Sequence, residues 1–264
     1  MKRCFSTLGC PELDLDDALQ LARSHKFAAI ELRALGGTMD VPGRLAARFA
    51  SPTAFAARMR DEPVKIVAFD TSLKLVEATD EVFGRTLEMF IPWAEAIGGA
   101  NIRVFDGGSS GNAQEIERMA ARLRGWQELR RTRGWRSDLM VETHDSLFTS
   151  APILALVRAA PGAAILWDSH HTWKRGAEDP VTTWKAIGRH VVHIHIKDSV
   201  SKPSARHPIT YVLPGTGEFP AFGMLAELRR DFIGPVSLEW ELMWHPYLPP
   251  LAEALDAATS VGWW

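Results

Sequence analysis

The sequence predicts a single-domain α/β chain, residues 1–264, folded as a (β/α)8 TIM barrel. Three observations carry this. Short apolar or β-branched runs recur eight times, and each is followed by a segment with helical spacing of its apolar residues. The runs are apolar along most of their length, as strands buried on both faces of a parallel sheet must be. No long Gly/Ser/Pro tract, low-complexity stretch or charge block divides the 264 residues, and barrels of about 250 residues fold as one domain.

The strands are expected at Arg3 to Leu8, Ala28 to Leu32, Lys65 to Phe69, Asn101 to Phe105, Leu139 to Glu142, Ala164 to Asp168, Val191 to Ile196 and Val236 to Glu239. The segment after the first strand, LDLDDALQLARSHKF, opens on Asp14, Asp16 and Asp17 as capping candidates and sets Ala18, Leu19, Leu21 and Ala22 in an apolar stripe. It reads as a helix. Helical patterns then fit Arg44 to Arg60, Thr79 to Ile97, Ala113 to Arg133, Ser150 to Ala159, Pro180 to Gly188, Phe219 to Arg230 and Pro250 to Ser260, one after each strand. Two connections are long, Gly36 to Pro42 and Asp198 to Pro220, and long loops beyond strand ends often cover a site.

Composition excludes several classes. Thirty basic and thirty-two acidic residues leave a formal charge of -2, without the basic excess of a nucleic-acid or anionic-membrane binder. No apolar run reaches the roughly 18 residues of a membrane span. The two cysteines cannot build a disulfide framework, and the first residues, MKRCFSTLGCPELDLDD, hold no apolar run of signal-peptide length. The expectation is a cytoplasmic protein with a small-molecule ligand.

Reactive residues should sit at the C-terminal strand ends, where barrels of this kind carry their sites. Strand five ends in Glu142 and runs on to His144; strand six ends in Asp168, followed by His170 and His171. Strand seven carries His193 and His195, and strand eight ends in Glu239 with Glu241 just after. Five of the nine histidines thus fall at three consecutive strand ends. Strand alternation puts His193, His195 and Lys197 on one face, and Glu239 with Glu241 on another shared face. Three carboxylates and an imidazole suit a divalent cation, Mn²⁺ foremost, with Co²⁺, Mg²⁺ or Zn²⁺ as alternatives; no cysteine suggests a thiolate site. We take Glu142, Asp168, His195 and Glu239 as the metal ligands. The bland alternative, a buried ion pair, is disfavoured because these acids lack evident arginine partners in sequence. His193 reads as core or as support to His195, His170 as structural, and Arg33 as structural beside Glu31. Asp70 and Asp106 read equally as helix caps or pocket residues, and Gly215 to Glu218 (GTGE) as a turn. The arginine-rich stretch on and after the fourth helical segment reads as a solvated face rather than a nucleic-acid patch.

At these residues the chain resembles the sugar phosphate isomerase/epimerase group of xylose isomerase-like TIM barrels, whose relatives include ketose 3-epimerases and inosose dehydratases. FAAIELR, VETH, WDSHH, VHIHIKD, GTGE and VSLEWELMWHP carry the likeness, in order, across nearly the whole chain. The resemblance implies a metal on Glu142, Asp168, His195 and Glu239, substrate contact by His171, and proton exchange between the substrate carbon and the two catalytic glutamates, Glu142 and Glu239. Lys197 then reaches a substrate oxygen, while His144, Glu241 and Trp244 line the pocket. It further implies a sugar, sugar derivative or cyclitol as substrate and a homo-oligomer, since relatives often form dimers or tetramers. One departure stands out: ketose 3-epimerases of this group place an arginine six residues beyond the metal-binding histidine, where this chain has Ser201. Lys197–Asp198 is closer to the dehydratase branch, so a lyase using the same site is the alternative reaction. An endonuclease-like phosphodiesterase would need histidines after strands three and four, where Asp70 and Asp106 stand instead. A non-catalytic sugar-binding barrel is the remaining alternative.

Overall fold

The computed structural model describes residues 1–205 and 207–264. Eight parallel strands form its central sheet: β1 (Lys2–Phe5), β2 (Ala29–Leu32), β3 (Lys65–Lys74), β4 (Asn101–Phe105), β5 (Leu139–Glu142), β6 (Ala164–Asp168), β7 (Val191–Ile196) and, after a small hairpin of β8 (Asp198–Val200) and β9 (Thr210–Val212), β10 (Pro235–Leu238). The order around the ring is β1-β10-β7-β6-β5-β4-β3-β2. A parallel bridge between Ser6 and Glu31 joins the outer two strands, so the sheet is a nearly closed barrel with no exposed edge to protect.

The helices are α1 (Leu15–Ser24), α2 (Val41–Phe49), α3 (Pro52–Met59), α4 (Asp80–Ala96), α5 (Ala113–Arg133), α6 (Ser150–Ala159), α7 (Ser169–Lys174), α8 (Pro180–Ile187), α9 (Ala221–Asp231) and α10 (Leu251–Ser260). Most starts are read locally. Pro52 and Pro180 occupy first-turn positions, and Ser51, Thr79, Asn112 and Asp179 accept backbone N–H bonds as caps. The expected second helix divides in two, because Ala50 turns left-handed at φ 58° and Ser51 caps the next start. β3 runs five residues past its expected end, and α7 and the β8–β9 hairpin lie in stretches expected as loops. Among the described residues no helix is long and apolar enough to cross a membrane.

Apolar side chains divide unequally between the two sides of the sheet. The large core, including Ile30, Phe69, Ile102, Val104, Val141, Ile165 and Trp167, fills the layer between strands and helices. Inside the ring a separate small cluster, Ala68, Met140, Ala164 and Leu166, forms an apolar plug. Two residues further along the same strands the inward side chains become Asp70, Glu142 and Asp168, all buried. A barrel is normally packed with apolar layers, so a charged upper layer at the C-terminal end marks a site.

The candidate metal centre and active site

Glu142 ends β5, Asp168 ends β6, His195 lies near the end of β7 and Glu239 follows β10; these four strands are neighbours in the ring. One ligand atom from each of these residues lies within 4.8 Å of all the others, and all four side chains are buried. Register explains the convergence: Asp168 pairs with His195 across β6 and β7, and His195 pairs with Ser237 across β7 and β10. The set expected from sequence is therefore brought to one point.

The donors fit a cation. Both Glu142 oxygens, Asp168 Oδ2 and His195 Nδ1 are buried and make no hydrogen bond; Arg103 faces Glu142 Oε2 and Lys197 faces Asp168 Oδ2, which leaves Glu142 Oε1 and His195 Nδ1 as the buried donors that a cation would satisfy. His195 Nε2 lies 3.0 Å from Glu31 Oε1, so the far side of the ring is fixed and Nδ1 faces the carboxylates. This is how a metal-binding imidazole is ordinarily oriented, by a carboxylate on its other nitrogen. Nδ1 itself stands 3.3 Å from Glu239 Oε1 and 3.6 Å from Glu142 Oε1. Burial opposes charge on this imidazole, yet Glu239 and Glu31 hold it well above the usual histidine range; the carboxylates favour positive charge at that place.

Glu31 is itself part of a buried chain. His193 Nε2 approaches its Oε2 to 2.8 Å and the Ser237 hydroxyl to 2.7 Å. Burial would raise the Glu31 carboxyl, but His195 and His193 together pull it below the normal range. His193 is thus a buried, hydrogen-bonded histidine that reaches His195 through Glu31.

The second charged group is Lys197. Its Nζ donates to Glu241 Oε1 at 2.8 Å, stands 2.8 Å from Asp168 Oδ2 and pairs with Glu239. Burial would lower this ammonium, and Asp168, Glu239 and Glu241 instead hold it well above the usual value. Asp168 is pushed up to about 6, first by burial and then by Glu239 and Glu142, with Lys197 acting in the opposite sense.

His171 lies at the cavity wall: its backbone N–H caps onto Asp168 Oδ1 at 2.9 Å, and Nδ1 is 3.2 Å from the Thr143 carbonyl. His144 packs edge-on against it at 4.9 Å and against Phe105 at 4.4 Å. A cavity of about 220 Å³, bounded by Arg33, Arg103, Phe105, Lys197, Glu239 and Trp244, abuts a larger one of about 540 Å³. His144, His171, His207 and Glu241 line both. Every residue expected to touch substrate therefore borders this space.

Some expectations change. The acids do have an arginine partner: Arg103, in the middle of β4, brings Nε within 3.2 Å of Glu142 Oε2 and Nη2 within 3.8 Å of Asp70 Oδ2. Its signal was available as a single charge inside the apolar run NIRVF. Arg33, expected as structural beside Glu31, borders the smaller cavity. Asp106 is neither a helix cap nor a pocket acid; it accepts N–H bonds from Asp145, Ser146 and Leu147 and so ties down the loop that carries His144. Likewise the GTGE turn wraps the Asp198 carboxylate, which takes N–H bonds from Gly215, Gly217 and Phe219. A Cβ on Gly217 would meet Asp198 Oδ1 at 2.1 Å, so only glycine allows that approach.

Residues 19–263 match the model of the xylose isomerase-like TIM barrel family. The chain belongs to this family. Xylose isomerase-like barrels are generally enzymes acting on sugar-like substrates. Among solved structures the chain is similar to a probable 3-DHS dehydratase involved in petrobactin synthesis from Bacillus anthracis. That likeness has a TM-score of 0.80 and 22% identity and covers 98% of this chain and 99% of the other. It is also similar to a xylose isomerase domain protein from Planctomyces limnophilus, with a TM-score of 0.68 and 18% identity over 98% of this chain and 95% of that one. A sugar phosphate isomerase/epimerase from Parabacteroides distasonis gives a TM-score of 0.62 and 12% identity over 98% and 92%. At these identities the likenesses speak for the fold. No functionally curated protein gives a significant match.

Proposed function

We propose that this barrel is a divalent-metal-dependent isomerase or epimerase of a sugar, sugar derivative or cyclitol, working by proton abstraction beside a carbonyl. The observation that carries the reading is the convergence of Glu142, Asp168, His195 and Glu239 within 4.8 Å, with Glu142 Oε1 and His195 Nδ1 buried and making no hydrogen bond. These four would hold the cation, Mn²⁺ foremost, which would supply Lewis-acid stabilisation of the oxyanion that develops as an enediolate forms.

The chain's own residues do the rest. Glu142 and Glu239 stand three strands apart around the ring, so one removes a proton from the substrate carbon and the other returns one from the opposite side. Arg103 keeps Glu142 ionised against burial, as Glu142 lies below the usual carboxylate range despite its buried position. His171, held near neutral charge by burial and by Lys197, meets a substrate hydroxyl, and His144 packs behind it. The free, buried Cys4 and Cys10 accord with a reducing compartment, which we take as the cytoplasm.

A second reading rests on Lys197. An ammonium among Asp168, Glu239 and Glu241 is placed to hydrogen-bond a substrate hydroxyl while the second glutamate protonates it, in which case water leaves and the same site is a dehydratase.

The test is solvent exchange. Metal-loaded protein incubated in deuterated water with a panel of ketoses and inososes should introduce deuterium beside the carbonyl of at least one compound. Retention of mass apart from that label supports isomerisation, and loss of one water supports the lyase. Glu142→Gln and Glu239→Gln should each abolish turnover, whereas His171→Ala should mainly weaken binding. Near-normal rates in either glutamate variant would refute the two-base scheme.

A further inference from the structure

Arg33 follows β2 and is 5% exposed, yet it borders the smaller cavity beside the proposed metal centre. A guanidinium carries five N–H donors. In Arg33 two bonds are made, from Nη1 to the Asp70 carbonyl at 3.3 Å and from Nη2 to the Ser72 hydroxyl at 3.0 Å, and both acceptors are neutral. The other two fixed cations lining this cavity among the described residues are differently placed. Arg103 is paired with Glu142, and Lys197 with Asp168, Glu239 and Glu241. Arg33 makes no ion pair among the described residues; its Cζ lies 5.9 Å from the centre of the Phe105 ring, against which Arg103 also packs at 4.0 Å.

Leaving a buried guanidinium without a counter-charge is expensive. Burial and the neighbouring Arg103 lower Arg33 to about 10, so it stays charged at neutral pH. Arg33 reaches only the backbone carbonyl of Asp70, whose carboxylate faces Arg103 instead at 3.8 Å. Glu142 and Glu239 attract Arg33 without pairing with it, and both are already engaged by Arg103 and Lys197. A planar fork with free N–H groups facing a small polar cavity matches an oxyanion in shape and in sign.

We infer that Arg33 is a specificity residue that binds an oxyanion, a carboxylate or a phosphate, borne by the substrate. The inference rests on the reading of this cavity as the substrate site and narrows the substrate class to acidic polyols, either sugar acids or sugar phosphates. The neutral free sugar then lacks a partner for Arg33 and binds less well. No bond is made or broken by this group: Arg33 positions the substrate by one end while the reacting carbon faces the glutamates.

Calorimetric titration of the Mn²⁺-loaded protein with sorbitol, D-gluconate and sorbitol 6-phosphate tests this, since the three share a polyol chain and differ in charge. One or both anions should bind roughly tenfold to a hundredfold more tightly than sorbitol. Preference for gluconate identifies a carboxylate, and preference for the phosphate identifies a phosphoryl group. In Arg33→Gln the advantage should disappear, while Arg33→Lys should keep part of it. Mn²⁺ affinity, measured separately, should stay the same in Arg33→Gln, which shows an intact barrel and separates this inference from the metal centre. Equal binding of all three probes, no binding of either anion, or an anion advantage that survives Arg33→Gln would overturn it. Loss of Mn²⁺ binding by the unaltered protein would instead strike the proposed function.

Discussion

Asp70 shows how one side chain in this layer can carry a measurable signature. Both of its carboxylate oxygens are buried without a hydrogen-bond partner, and Arg103 is its nearest cation at 3.8 Å. Burial and Glu31 raise it to about 8, against Arg103, His195 and Arg33, which act to lower it. In the unfolded chain an aspartate loses its proton at about 4. Between those values the folded metal-free protein binds the extra proton, so its stability falls as pH rises from about 4 to about 8. Urea unfolding of the metal-free protein at several pH values should show this decline. Asp70→Asn, which mimics the protonated form, should make it shallower, most of all between about pH 6 and 8, and be at least as stable at pH 8. A variant with the same pH slope as the parent would show that Asp70 is not the group responsible. The expected metal ligands were legible because each is a carboxylate or imidazole side chain at or just after a strand end. Glu31, Arg33 and Arg103 were less so: a charge inside or just after an apolar strand is visible, but its partner is not.

At the scale of elements, caps and backbone handedness decide where helices stop. α2 and α3 form one periodic stretch in sequence, yet the chain breaks between them at Ala50, a non-glycine residue in left-handed conformation, and Ser51 receives the Ala54 N–H at 3.2 Å. An L-residue pays roughly 1 kcal/mol in that conformation. Ala50→Gly is therefore expected to stabilise the protein by about 0.5–1 kcal/mol, offset in part by the freer unfolded chain. Thermal or urea denaturation measures it, and destabilisation would show that the Ala50 methyl makes a packing contribution of greater size. The same locality explains why strand positions were readable to within a few residues, and why the extension of β3 was not. Beyond Phe69 the added residues are held by neighbours distant in sequence, such as the Arg103 carbonyl that accepts the Thr71 hydroxyl bond at 2.8 Å.

For the whole molecule, a cation binding only the folded barrel adds stability by mass action. At a free concentration 100 times its dissociation constant the gain is about 2.7 kcal/mol. The melting temperature of the protein should therefore rise with Mn²⁺ concentration. Asp168→Asn should lose most of that rise, because it removes a ligand while leaving the barrel's apolar plug and outer core untouched. A parent protein whose melting temperature ignores Mn²⁺, Co²⁺, Mg²⁺ and Zn²⁺ alike would contradict the proposed centre.

Sequence alone determined the parallel alternation of strands and helices, since burial on both faces writes itself into local apolar runs. It also determined which strand ends carry acids and histidines, since period-two alternation fixes the side on which they emerge. Closure of the ring decided the rest. Glu31 and His195 lie 164 positions apart and on strands that do not pair, and they meet only because the barrel folds inward across its own axis. Electrostatic partnership depends on distance in space and on burial, neither of which a linear chain records. For that reason the pairing of Arg103 with Glu142, and the absence of an ionic partner for Arg33, became visible only in three dimensions.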